Sequence, residues 1–80
     1  MGDWSENAVS VLLNLAKKDP ELAKIIRGTI LKLDKNPGLG TFLIKSVWSY
    51  TDLSGKFRII YNYSPEQKIK KIEIESIIIP

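Results

Sequence analysis

The hydrophobic period of this chain changes halfway along. Before Lys35 apolar residues recur at intervals of three and four; from Phe42 onward they alternate or run together. Ala8, Val11, Leu12 and Leu15 form one stripe at helical spacing. Ser5 stands just ahead of that stripe, where its hydroxyl can accept from free backbone N–H groups, and Lys17 and Lys18 suit the negative end of a helix. A first helix is therefore expected from Ser5 to about Lys18. Asp19-Pro20-Glu21 opens a second: an N-cap, a proline suited to the first helical position and a carboxylate that complements the dipole. Its stripe is Leu22, Ile26, Ile30 and Leu33, and Asn36-Pro37-Gly38 stops it. Gly28 inside this helix costs about 1 kcal/mol relative to alanine, and close packing of the two helices is the expected reason for it. So short a connection predicts an antiparallel helical hairpin.

The second half reads as strands. Phe42–Ser46 and Val47–Thr51 make one bent strand or two short ones, and Asp52-Leu53-Ser54-Gly55 makes a turn. The next strand runs from Phe57 to Tyr63, with Phe57, Ile59, Tyr61 and Tyr63 on one face and Arg58, Ile60 and Asn62 on the other. Ser64-Pro65-Glu66-Gln67 is a hairpin loop. The last strand, from about Lys68 to Ile78, places Ile72, Ile74 and Ile78 on one face and Lys71, Glu73 and Glu75 on the other.

Short connections between successive strands imply an antiparallel meander of three to four strands with the helical hairpin on one face. The expected fold is a two-layer α+β arrangement in a single domain over residues 1–80. Trp4 is expected to plug the helix–sheet core. The open face of the sheet is the natural place for a site, and Arg58 belongs on it or at its edge. An unpaired guanidinium is costly to bury. It therefore needs solvent, a phosphate-bearing ligand or a carboxylate, and Glu73 or Glu75 opposite it would form an ordinary cross-strand ion pair. Three successive isoleucines, Ile77 to Ile79, cannot all face one core. At least one is expected to be exposed, as a docking strip for another chain or for self-association.

Composition narrows the chemistry. The chain has no cysteine and no histidine. Disulfides, thiolate metal sites and Ser-His-Asp or Cys-His catalysis are excluded, and any reaction must use Lys, Arg, Tyr, Asp or Glu. No tight carboxylate cluster suggests a metal site, and no cofactor is expected. The net charge of +3 mildly favours an acidic partner. No apolar run reaches the ~18 residues of a membrane span, and no basic region with an apolar core opens the chain, so a cytoplasmic location is expected.

Gly55-Lys56-Phe57-Arg58-Ile59-Ile60-Tyr61, placed after two helices and before an isoleucine-rich strand, resembles the RelE/ParE superfamily. These are the toxins of type II toxin–antitoxin modules, associated with plasmid stabilisation. The resemblance includes Asn36-Pro37 and the Lys45-to-Tyr50 segment. It implies a growth inhibitor neutralised by a cognate antitoxin. The favoured activity is metal-independent, ribosome-dependent mRNA cleavage, in which a ribose 2′-OH attacks the adjoining phosphate. A ParE-like inhibitor of DNA gyrase, a catalytically degenerate member and a non-toxin binding or oligomerisation module are the alternatives. Under the resemblance Arg58 is the catalytic candidate, its planar fork bracing phosphate oxygens, and Lys45, Lys56, Arg58 and Tyr61 are the RNA-binding candidates. Tyr50 and Tyr63 could also stack on bases, with at least two of the tyrosines serving the core or its margin. The sequence departs from the nuclease pattern: Ser49 and Thr51 stand where some active members carry lysines, and the final strand reads Ser76-Ile77-Ile78-Ile79-Pro80, without the usual arginine and tyrosine.

Overall fold

The computed structural model describes residues 3–66 and 72–80. Two helices precede four antiparallel strands, the α+β class that the sequence predicts. Strand β1 (Asp3–Trp4) leads into helix α1 (Glu6–Lys18) and helix α2 (Pro20–Lys35). A single 3₁₀ turn (Pro37–Leu39) then feeds β2 (Thr41–Ile44), β3 (Val47–Thr51), β4 (Arg58–Asn62) and β5 (Glu73–Ile78). The order across the sheet is β1-β5-β4-β3-β2. The meander is antiparallel, and β1 adds a short parallel edge against β5 that the sequence reading omitted. The strand start expected at Lys68, and Lys71 as a neighbour of Arg58, lie outside the described residues.

The helix boundaries follow their caps. Ser5 Oγ accepts from the Ala8 N–H at 3.1 Å. The same residue ties the helix to the sheet, its N–H donating to the Ile74 carbonyl at 2.8 Å and its hydroxyl to the Glu75 carbonyl. Asp19 alone joins the helices: its N–H donates to the Leu15 carbonyl, closing α1, while its carboxylate accepts from the Leu22 N–H, opening α2. Helix α1 packs on both α2 and β5. Ala8, Ile26, Ile30 and Leu33 meet Phe57, Ile59, Tyr61, Ile72, Ile74 and Ile77 in one buried cluster, and Trp4 packs at its margin. Burial of this apolar surface is the main favourable term for the fold.

Three sequence expectations are corrected. Gly28 is not a point of close helix packing: it is exposed, and a Cβ added there meets nothing within 4 Å. Ile78 does not face the core, whereas Ile77 does, at 46% and 3% exposure. The cause is a register shift: Ile60 pairs with Ser76 but Tyr61 pairs with Ile74, leaving Glu75 as an extra residue. A bulge of this kind reverses the in–out alternation beyond it. The ion pair expected opposite Arg58 is replaced by an apolar neighbour, since Arg58 pairs with Ile78 and Glu73 pairs with Asn62.

The segment read as one bent strand or two pieces is two strands, β2 and β3, folded on each other through Lys45 and Ser46. Lys45 supplies the reversal at φ 54°, an uncommon conformation for a residue with a Cβ.

Candidate anion-binding site

Arg58 is placed by the β3–β4 hairpin. Its loop is held by Asp52, whose N–H donates to the Phe57 carbonyl at 3.0 Å and whose carbonyl accepts from the Gly55 N–H at 2.9 Å. The Asp52 carboxylate accepts from Ser54 Oγ at 2.5 Å and from the Lys56 N–H at 3.4 Å. The Ser54 hydroxyl, followed by the backbone N–H groups of the turn, holds this carboxyl below its usual range. Gly55 adopts φ 73°, a left-handed conformation that glycine reaches without steric cost.

Beyond this turn β4 begins with Arg58, exposed between buried Phe57 and Ile59. It therefore stands on the sheet face turned away from the helices. Arg58 pairs across the hairpin with Thr51, and its Nε donates to Thr51 Oγ1 at 3.2 Å. That bond orients the guanidinium while leaving the two terminal nitrogens free of it. A guanidinium fixed through Nε presents a fork suited to a phosphate or carboxylate. Beside it lies a cleft of about 260 Å³ lined by Thr51, Gly55, Phe57, Arg58, Ile78 and Pro80. Among the described residues Arg58 is the one charged side chain of that lining.

The sequence candidates separate in space. Lys56 is exposed two residues before Arg58 and belongs to the same end of the sheet. Lys45 is exposed at the opposite end of β3. Thr51 lies six positions further along, which at ~3.3 Å per residue is about 20 Å. Tyr61 leaves the candidate set, because it is fully buried. Its hydroxyl donates to the Pro37 carbonyl at 2.6 Å and accepts from the Gly40 N–H at 3.1 Å. Burial pushes this phenol above its ordinary pKa. Tyr50 and Tyr63 are half-buried against the core, and the Tyr63 carbonyl accepts from Trp48 Nε1 at 3.0 Å. Trp48 also stacks near Tyr61 and meets Phe42 edge-on, so these aromatic rings serve packing.

The acidic residues of the open face gather elsewhere. Asn62 Nδ2 donates to Glu75 Oε1, and Ser46 Oγ donates to Asn62 Oδ1 at 3.4 Å. Asn62 lies four residues along β4 from Arg58, roughly 13 Å at strand rise. Arg58 and these carboxylates thus lie toward opposite ends of the face. Thr51 is the site residue that the sequence reading missed as a positive contributor. Counting back symmetrically from the Asp52–Phe57 closure pairs it with Arg58, so the signal was present in the loop length.

Among the described residues no three His, Cys, Asp or Glu side chains gather as a metal site, and no helix is long and apolar enough to cross a membrane. No protein-family model, curated protein or solved structure matches the chain.

Proposed function

We propose that this protein is a toxin-like inhibitor of RelE/ParE type that acts by binding an anionic segment of a nucleic-acid machine, with Arg58 as the phosphate contact and the ribosome as the target. The order of a helical hairpin followed by an antiparallel meander supports the family reading. The observation that carries the mechanism is the Arg58 cleft. Its guanidinium is exposed, oriented by Thr51 and opposite an isoleucine rather than a carboxylate.

The same cleft favours blocking over cutting. Transesterification at a ribose needs a group to take the 2′ proton and another to protonate the leaving oxygen. The described residues lining the cleft supply neither, since Arg58 offers only N–H donors and the other side chains carry no titratable group. Charge stabilisation remains, through Arg58 and the neighbouring exposed Lys56. Binding without turnover is therefore the reading that the geometry supports best, and the cognate antitoxin remains the expected partner.

The test is a cell-free translation reaction with purified protein, wild type and Arg58→Ala, followed by mapping of mRNA ends on the ribosome. The expected result is stoichiometric loss of translation with intact mRNA, relieved in Arg58→Ala. Unimpaired translation would overturn the proposal, as would cuts at the ribosomal A site. A parallel supercoiling reaction checks gyrase, where inhibition by the wild type alone would move the target to that enzyme.

A further inference from the structure

The tip of the β3–β4 hairpin carries a side chain that the anion site does not use. Leu53 is 100% exposed, whereas the next most exposed large apolar residues among those described are Ile44 at 63% and Leu13 at 62%. Single exposed leucines are ordinary on a protein surface. Leu53 differs in where it stands. It is the second residue of a four-residue turn, closed by the Gly55 N–H donating to the Asp52 carbonyl at 2.9 Å. Turns of this kind draw on Gly, Pro, Asn, Asp and Ser, which supply the backbone angles or a local hydrogen bond. Leucine supplies neither, so nothing in the turn itself calls for it.

The turn also holds Leu53 firmly. The Asp52 N–H donates to the Phe57 carbonyl at 3.0 Å, and the Asp52 carboxylate accepts from Ser54 Oγ at 2.5 Å and from the Lys56 N–H at 3.4 Å. The side chain therefore projects from a braced support rather than a loose loop. The same bonds turn the carboxylate of Asp52 onto its own loop. The cations stay outward: Lys56 and Arg58 are exposed, and Thr51 orients Arg58. Leu53 lies two residues beyond Thr51, the cross-strand partner of Arg58. At ~3.3 Å per residue it reaches up to about 7 Å past that pair. Two steps of a stacked nucleic-acid strand, at about 3.4 Å each, span the same distance.

We propose that Leu53 is a wedge that enters between two adjacent bases of an RNA strand whose phosphates rest on Arg58 and Lys56. This rests on the reading of Arg58 as a phosphate contact, and adds what the hairpin does to the bound strand. The cations hold the backbone, and an apolar side chain braced just beyond them parts the stack, the action of apolar wedges that kink nucleic acids. A leucine side chain has no donor or acceptor with which to read a base edge. It therefore selects steps that unstack easily rather than a hydrogen-bonded sequence. A bilayer suits the tip less well, since interfacial anchoring draws on an extended apolar face and the turn offers one leucine.

The experiment uses the full chain and a short single-stranded RNA with 2-aminopurine between purines, whose emission rises when its neighbours unstack. An end label on the same RNA reports binding by anisotropy. The wild type should bind and raise the emission by at least about twofold. Leu53→Ser should bind within about fivefold of wild type, because burial of the leucine and unstacking of the bases offset each other, yet give no rise. Leu53→Met, a wedge of similar volume, should restore the rise. Circular dichroism checks that both variants, altered at a fully exposed position, remain folded. Arg58→Ala should weaken binding by about tenfold or more. Binding of the wild type without a rise, or an equal rise in Leu53→Ser, would overturn the wedge and leave the phosphate contact standing. Failure of the wild type to bind RNA would overturn both. Co-sedimentation of the wild type with phosphatidylglycerol vesicles, lost in Leu53→Ser, would assign the tip to a membrane surface instead.

Discussion

Tyr61 shows how one side chain can look functional in sequence and be structural in space. It ends the most recognisable segment of the chain, and an exposed tyrosine there could stack on a base. Its hydroxyl instead bridges the Pro37 carbonyl and the Gly40 N–H from within the core. Gly40 is the reciprocal part of this contact: a Cβ there would lie 2.3 Å from the hydroxyl and 2.7 Å from the Ser49 carbonyl oxygen. Tyr61→Phe should destabilise the protein by about 1–3 kcal/mol, because it leaves buried backbone groups unpaired, and denaturant unfolding would measure the loss. The same phenol predicts an alkaline limit. Its folded pKa lies above the unfolded value of about 10. The unfolded chain therefore releases this proton first, so the contribution is complete below that value and is lost as pH rises through the folded pKa. Thermal melts across that range should show an alkaline decline that is smaller in Tyr61→Phe. Gly28 gives the opposite case. With open space around its Cα, Gly28→Ala should stabilise α2 by about 0.5–1 kcal/mol, raising the urea midpoint. Packing of Gly28 against a neighbouring helix would instead make the substitution destabilising.

At the scale of elements, the helices were the more legible half. Ser5, Asp19 and Pro20 are local signals, and local hydrogen bonds decide where those helices begin. The sheet depends on pairing between distant residues, and there the sequence pattern misled. Strict alternation from Ile72 puts Ile74 and Ile78 inside, yet one extra residue at Glu75 transfers the inward position to Ile77. Nothing local distinguishes Ile77 from Ile78, because both are β-branched and equally apolar. The bulge is visible only against β4, where Tyr61 must meet Ile74 and Ile59 must meet Ile77. Ile77→Ala should cost about 2–4 kcal/mol as a core truncation, whereas Ile78→Ala should fall within about 1 kcal/mol. Chemical denaturation of the pair reads the bulge directly, since an unbulged strand gives the reverse order. Thr51 belongs to the same lesson. Its pairing with Arg58 follows from the length of the Asp52–Phe57 turn rather than from its residue type.

The whole molecule presents two differently built surfaces. One is the helical hairpin with its exposed Val9 and Leu13, and the other is the open sheet, where among the described residues Arg58 lies toward one end and Glu73 and Glu75 toward the other. Separation of these ends is what leaves Arg58 accessible: Glu73 stands opposite Asn62, and Glu75 is engaged by the Asn62 amide. The wider candidate set drawn from sequence does not form one cluster, since Lys45 marks the far end of β3 and Tyr61 the interior. Only the pairing of strands shows which residues share the end of the sheet that holds Arg58. The account then rests on the anion-binding capacity of that guanidinium. Its most direct measurement is equilibrium binding of a short single-stranded RNA to wild type, Arg58→Ala and Thr51→Val at two salt concentrations. The account predicts salt-sensitive binding that falls by about 1.5–3 kcal/mol in Arg58→Ala, the range for a hydrogen bond to a charged group, with a smaller loss in Thr51→Val and RNA that stays uncut. Equal affinity of wild type and Arg58→Ala would contradict it.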